Sequence, residues 1–260
     1  MNQAVDDDHL VLCERHDKYA VVTLNRPAKR NAMSRSAQAE LCSILDDLHQ
    51  DCRVVILTGA GKVSFCAGVD VTESRALAAP EAPVARLFAW ESNPWFEVQE
   101  RILRHPAIFI AAVNGAAMGG GLTLVNNAEI AIAAENATFG IPELGIRAFP
   151  GLSGPSTVHR IHHKRAAYMM LTTERIDATT AERWGLINEV VAPQDALLSR
   201  ARELAARIAA FDPVLLDFTK RAIREIPRFD WSAAIDYGLR TGMIAKANRF
   251  QAPDDVAGQV

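Results

Sequence analysis

No stretch of this sequence stays apolar for the ~18 residues that a membrane-spanning helix needs; Gly, Asn or a charge interrupts every run first. Neither charge is in excess. The 28 Lys and Arg against 31 Asp and Glu leave −3 at pH 7, which supplies no electrostatic footprint for nucleic acid. No basic run is long enough for a membrane-surface patch. Cysteine is scarce: Cys13, Cys42, Cys52 and Cys66 form no CxxC pair and no metal spacing, so they read as small hydrophobes in a reducing compartment. With no HExxH and no clustered His/Asp set, no metal is expected. The first residues, MNQAVDDDHL, are acidic where a signal peptide needs a basic and then an apolar region. The expected location is cytoplasmic.

What is present suits a compact protein. With 260 residues, 49% of them hydrophobic, the chain can bury a sizeable core in one large domain or one domain with an appendage. Residues 9–15 and 19–24 look like paired strands, with Ala20, Val22 and Leu24 on one face. A helix is expected from Ser34, where Leu41, Ile44, Leu45 and Leu48 follow helical spacing. Residues 54–57 are continuously apolar, as befits a strand buried on both faces. Helix is expected over residues 84–104, broken or restarted at Pro94, then a strand over 108–113, a short helix over 122–125 and a strand over 130–133. This rolling alternation predicts an α/β core. From Pro193 onward the pattern is helical only: Leu197, Ala201, Leu204, Ala205 and Ile208 share a face, and Trp231, Ile235 and Leu239 recur at steps of four. Such stripes need the core or another subunit to pack against.

The glycine-rich motifs exclude several chemistries. Val113-Asn114-Gly115-Ala116-Ala117-Met118-Gly119-Gly120-Gly121 has the spacing GxxxGGG rather than GxGxxG, Thr58-Gly59-Ala60-Gly61-Lys62 lacks the phosphate-loop interval, and Gly151-Leu152-Ser153-Gly154 lacks the spacer of a GxSxG elbow. Three glycines before a helix do supply approachable backbone N–H groups that can face a carbonyl oxygen gaining negative charge; the plain alternative is tight helix-to-sheet packing. Ser64-Phe65-Cys66-Ala67-Gly68-Val69-Asp70 is a second small-residue turn after a buried strand. Two such turns can each offer one N–H to an oxyanion hole. His105, before a proline, reads as a helix end, and His162-His163 beside Lys164 and Arg165 as a solvated loop.

In order and spacing, these segments resemble the crotonase (enoyl-CoA hydratase/isomerase) family. The likeness runs through Leu24-Asn25-Arg26-Pro27-Ala28-Lys29-Arg30-Asn31-Ala32, Phe65-Cys66-Ala67-Gly68-Val69-Asp70, Asn114-Gly115, Met118-Gly119-Gly120-Gly121, Pro142-Glu143, Phe149-Pro150-Gly151 and Trp184-Gly185-Leu186-Ile187-Asn188. It covers roughly residues 10–255. The resemblance implies an α/β fold: a crotonase-like spiral of ββα units over residues 1–192, followed by a C-terminal helical trimerisation region over 193–260. It implies an acyl-CoA substrate, with coenzyme A as part of that substrate rather than a cofactor, and a homotrimer or hexamer. The family's oxyanion-hole amides map onto Ala67 and Gly120. The substrate site would draw on Ala28, Arg30, Ala32, Phe65, Val69, Asp70, Val71, Gly119, Gly121, Pro142 and Arg147.

The acid/base positions depart from the family pattern. Family hydratases carry two glutamates; here the second is Glu143 and the first position holds Thr123, whose hydroxyl is no carboxylate base but can hydrogen-bond a water or substrate group. One carboxylate that removes and returns a proton suits double-bond isomerisation, as in family isomerases. Hydration by Glu143 alone stays open, as in hydroxycinnamoyl-CoA hydratase-lyases, which also lack the first glutamate. So does a non-catalytic acyl-CoA binder. Arg147 stands where relatives carry a small residue, and either is exposed or pairs with Glu143. Thr72 replaces a lysine, and Ala257–Val260 stands before the relatives' basic terminal segment. Arg26, Lys29, Arg30 and Lys62 are the cations left to meet CoA phosphates. Ser153 and Pro155 sit where relatives favour glycine and threonine.

Overall fold

The computed structural model describes residues 9–70, 72 and 94–249. Two sheets organise it. The larger has strands β1 (Val11–Arg15), β2 (Tyr19–Leu24), β3 (Val54–Gly59), β5 (Ile108–Val113), β7 (Ile130–Ala134) and β10 (Glu189–Val191), hydrogen-bonded in that order. Within this sheet β1 and β2 are antiparallel and β2, β3, β5, β7 and β10 are parallel, with registers such as Val54↔Ile108 and Ile110↔Ile130. The smaller sheet has β4 (Ser64–Cys66), β6 (Ala116–Met118), β8 (Thr138–Gly140) and β9 (Ile176–Asp177).

Each of β3, β5 and β7 passes directly to a strand of the small sheet, namely β4, β6 and β8. Helices α2 (Pro94–Arg104) and α3 (Gly120–Asn127) follow the first two pairs. Repeating that step winds the chain into a spiral of ββα units, as the family resemblance implies. The central strands are buried on both faces, which explains their unbroken apolar runs. Val55, Leu57, Phe109, Ala111 and Val113 face one core, shared with Leu41, Leu45 and Leu48 of α1 (Arg35–Leu48). Val54, Ile56, Ile108, Ile110 and Ala112 face a second core. That face is covered by α7 (Leu197–Ala209), whose Ala201, Ala205 and Ala209 let the helix approach the sheet closely.

Three shorter helices, α4 (Ser153–Val158), α5 (His163–Thr172) and α6 (Ala178–Trp184), lie between β8 and β10, and α8 (Pro213–Glu225) and α9 (Trp231–Arg249) end the described chain. Ser34 caps α1, its hydroxyl accepting from the Ala37 amide at 3.3 Å, a contact typically worth about 1 kcal/mol. The expected helix begins at Pro94; residues 84–93 lie outside the described residues. Cys42, Cys52 and Cys66 are buried, whereas Cys13, on edge strand β1, is exposed. His105 follows the end of α2 as expected and is buried, while His162 and His163 are exposed, His162 capping α5 and His163 opening it. No described helix is long and apolar enough to cross a membrane.

Candidate active site

The small-residue turns following β4 and β6 meet at the N-terminus of α3. A buried polar knot fixes the first of them. Asn31, 1% exposed and at φ 54°, donates to the Ala60 carbonyl at 3.0 Å and the Ser64 carbonyl at 2.7 Å, and accepts from the Arg26 amide at 3.0 Å. Asn114 bridges the ends of β3 and β5, accepting from the Gly59 amide and donating to the Gly59 and Gly61 carbonyls at 3.0, 2.8 and 2.7 Å. The Ser64 hydroxyl lies 3.0 Å from the Arg30 carbonyl and 3.1 Å from the Ala116 carbonyl. Asn31, Asn114 and Ser64 were not among the expected site residues. An Asn or Ser carries no signal of its eventual partners in the sequence; only the meeting of distant segments reveals it.

The geometry corrects one expected oxyanion amide. The Ala67 N–H donates to the Arg30 carbonyl at 3.0 Å, so it points into the 26–32 loop and is spent. Gly68, at φ +92°, then turns the backbone. Met33 pairs with Val69 in a parallel bridge, through Met33 N–H to the Gly68 carbonyl at 2.8 Å and Asp70 N–H to the Met33 carbonyl at 3.0 Å. Because the Asp70 amide points at Met33, the preceding Val69 amide points to the opposite side of the chain. There the Gly68 Cβ position lies 3.0 Å from the Gly120 nitrogen. Gly120 is the first residue of α3, where N–H groups have no intrahelical partner. Among the described residues, neither the Val69 nor the Gly120 amide has an acceptor.

Glu143 opens a 3-10 turn, Glu143–Ile146, with half-buried Pro142 as its cap. Its carboxylate reaches the same place: Oε1 and Oε2 lie 3.1 and 3.7 Å from the Cβ position of Gly119, which has none because its φ is +52°. Oε1 accepts from the Ser153 hydroxyl at 2.5 Å, and Oε2 is buried without a hydrogen-bond partner among the described residues. Thr123, 2% exposed, turns its hydroxyl back toward the Gly119 carbonyl at 3.5 Å, one helical turn earlier. The Trp95 indole walls the other side, its Nε1 2.8 Å from the Gly120 Cβ position. Burial pushes the Cys66 thiol up to about 12, so it stays protonated and is no nucleophile at neutral pH.

Other expected substrate contacts resolve differently. Gly121 is a packing residue: its Cβ position falls 2.1 Å from the Cys66 carbonyl oxygen, so it faces β4. Phe65 is fully buried, its ring part of the core. Asp70 is held by Arg26 at 3.0 Å, both largely buried, so it braces the turn and Arg26 is not available to a phosphate. Ala28 and Arg30 are exposed; Ala32 is half-buried, its carbonyl accepting from the Arg26 guanidinium. Val71 lies outside the described residues. Arg147 is exposed at φ 59° and forms no ion pair among the described residues, so it does not pair with Glu143.

The sequence profile of the enoyl-CoA hydratase/isomerase family matches residues 14–233. The chain belongs to that family. Within the enoyl-CoA hydratase/isomerase family it is 36% identical over 230 residues to a short-chain-enoyl-CoA hydratase of Clostridium acetobutylicum, covering 87% of this chain and 85% of the relative. It is 37% identical over 218 residues to an (E)-benzylidenesuccinyl-CoA hydratase of Thauera aromatica, covering 82% and 81%. The crystal structure of an enoyl-CoA hydratase from Bacillus anthracis superposes with a TM-score of 0.82 at 30% identity, over 90% of each chain. These likenesses establish the crotonase fold for this enoyl-CoA hydratase/isomerase family member.

Proposed function

We propose that this protein is an acyl-CoA enzyme that stabilises a thioester enolate and moves a proton with one carboxylate. The observation that carries this reading is the meeting of two unpartnered amides, Val69 and Gly120, beside the Glu143 carboxylate. Two N–H donors aimed at one carbonyl oxygen lower the energy of the enolate that forms when an α or γ proton leaves. Val69 takes the part that the family resemblance implied for Ala67. Glu143 accepts the proton at one carbon and returns it at another, which isomerises the double bond of an enoyl-CoA. Thr123, folded back on Gly119, supplies no second base, and this favours isomerisation over two-carboxylate water addition.

The hydratase names of the relatives support a second reading, in which Glu143 alone manages a water, including water added to an aromatic enoyl-CoA. Coenzyme A enters as part of the substrate. Lys29 and Arg30, exposed on the 26–32 loop without ion pairs among the described residues, are the cations free to meet its phosphates. Lys62 is paired with Asp195, but that pair is exposed and exchanges readily.

The test is a panel of enoyl-CoA thioesters, scored for isomer and hydrate, with the wild type and Glu143→Gln. General acid–base assistance is typically worth about 10²–10⁴-fold, so turnover should fall by at least about 10² in the variant while acyl-CoA binding persists. Undiminished turnover would refute the mechanism. Binding without turnover by the wild type would make the protein an acyl-CoA binder.

A further inference from the structure

Glu143 has one companion that the proposed mechanism does not use. Ser153, the first residue of α4, is 1% exposed and places its hydroxyl 2.5 Å from Glu143 Oε1. An ionised carboxylate only accepts, so the serine hydroxyl donates, and such charge-assisted contacts are short. The other oxygen, Oε2, is buried yet has no hydrogen-bond partner among the described residues. The two oxygens of this carboxylate are therefore not equivalent.

Ser153 is itself anchored to the helix that carries the Gly120 amide. Its carbonyl accepts from the Ser156 hydroxyl at 3.1 Å. Ser156 Oγ in turn accepts from the Asn126 side chain of α3 at 3.0 Å, and the same Asn126 amide donates to Thr157 Oγ1 at 2.9 Å. Asn126 and Gly120 lie on one helix, so the ladder from Glu143 through Ser153 and Ser156 to Asn126 sets the carboxylate in register with the amide. No ion pair among the described residues involves Glu143, and Arg147 of its own turn is exposed, so no charge competes with the serine for that role.

We infer that Ser153 is a positioning residue for Glu143, holding Oε1 by its hydroxyl so that Oε2 is the oxygen that takes and returns the proton. This rests on the reading of Glu143 as the proton-transfer group. Removing that hydroxyl loosens the aim of Oε2 without touching the CoA-binding loop.

Ser153→Ala and Ser153→Gly test this, with Glu143→Gln as control. The expected result is a fall in kcat of about tenfold or more with KM within about twofold of wild type, a split that a merely structural loss would not give. The carbon-13 chemical shift of the Glu143 carboxyl in the free protein at neutral pH, assigned by its loss in E143Q, needs no substrate. It should move in both serine variants, or in whichever folds. An unchanged chemical shift would overturn the inference, as would an unchanged kcat. If E143Q is inactive in that case, the reading of Glu143 stands and only the role of Ser153 falls. If E143Q keeps full turnover, the reading of Glu143 falls and takes this inference with it.

Discussion

Adjacent glycines in the 119–121 run serve different ends, and the neighbours of each Cβ position decide which. Gly121 would drive a methyl to 2.1 Å from the backbone oxygen of Cys66, which cannot swing aside. Gly121→Ala should destabilise the fold by at least the upper end of the ~1–3 kcal/mol usual for overpacking. Gly120 would meet the edge of the Trp95 indole at 2.8 Å, a side-chain atom that has some freedom to move. Gly120→Ala should therefore keep more of the stability but displace the Val69–Gly120 amide pair, lowering kcat. Denaturant midpoints set beside steady-state rates separate the two. Equal losses of stability would contradict the assignment of Gly121 to packing and Gly120 to the site. In sequence the two are indistinguishable members of one run. The same holds for Ala67 and Val69, two small or medium apolar residues flanking a glycine, of which only the turn at Gly68 decides which amide is spent.

Among the elements, the junction of α2, β5 and α8 holds two buried titratable groups that no periodicity announces. His105 follows α2, accepts from the Ala107 amide on Nδ1 at 3.0 Å and lies 3.0 Å from the Leu45 carbonyl through Nε2, which fixes the neutral tautomer. Burial, with the Lys220 charge adding to it, lowers its pKa to about 4. Lys220, the one buried residue of α8, donates to the Ile102 and Ala107 carbonyls at 3.1 and 2.7 Å and sits 3.7 Å from Glu129, and burial brings it down to about 8. It pins α8 to the end of α2. For His105 the unfolded chain binds the proton more readily than the folded one. The stability it contributes is complete above pH ~6.5 and is lost as the pH falls toward 4, up to roughly 3 kcal/mol. Thermal midpoints followed from pH 7 to 4 should drop more steeply for wild type than for His105→Gln. Parallel curves would exclude His105 as the source. A sequence reading places the histidine before proline at a helix end and says nothing of the lysine's burial, because burial depends on what a distant element lays over each.

For the whole molecule, the unresolved balance lies on the C-terminal helices. Trp231, Ile235, Leu239 and Met243 of α9 follow a spacing of four and are 81, 47, 65 and 71% exposed in the single chain. Monomeric proteins rarely leave so much contiguous apolar surface in water. We expect self-association into a homotrimer or hexamer, three or six times the 28.4 kDa chain, with Trp231→Asp and Leu239→Asp weakening it. Sedimentation velocity at micromolar concentration measures this directly, and a monomer throughout would contradict it. By contrast α7 has found its partner within the chain, its alanines closing over the outer face of the large sheet. Helical periodicity marked both stripes as needing cover and did not distinguish which would be covered from within.

By itself the sequence determined the α/β alternation, the strands buried on both faces, the helical end of the chain and the family. Those follow from local periodicity and from motif order along the chain, which need no knowledge of distant contacts. Glu143 and Gly120 were legible as candidates for the same reason, as fixed positions within motifs. Only the tertiary structure decided that the Ala67 amide is spent on Arg30 while that of Val69 has no acceptor among the described residues, that Thr123 turns back on its own helix, that Arg26 is consumed by Asp70, and that Ser153 holds one oxygen of Glu143. Each of these depends on the direction of a single donor toward residues on another element. Such directions are set by one backbone torsion or by the crossing of two loops, and neither leaves a trace in the order of residue types.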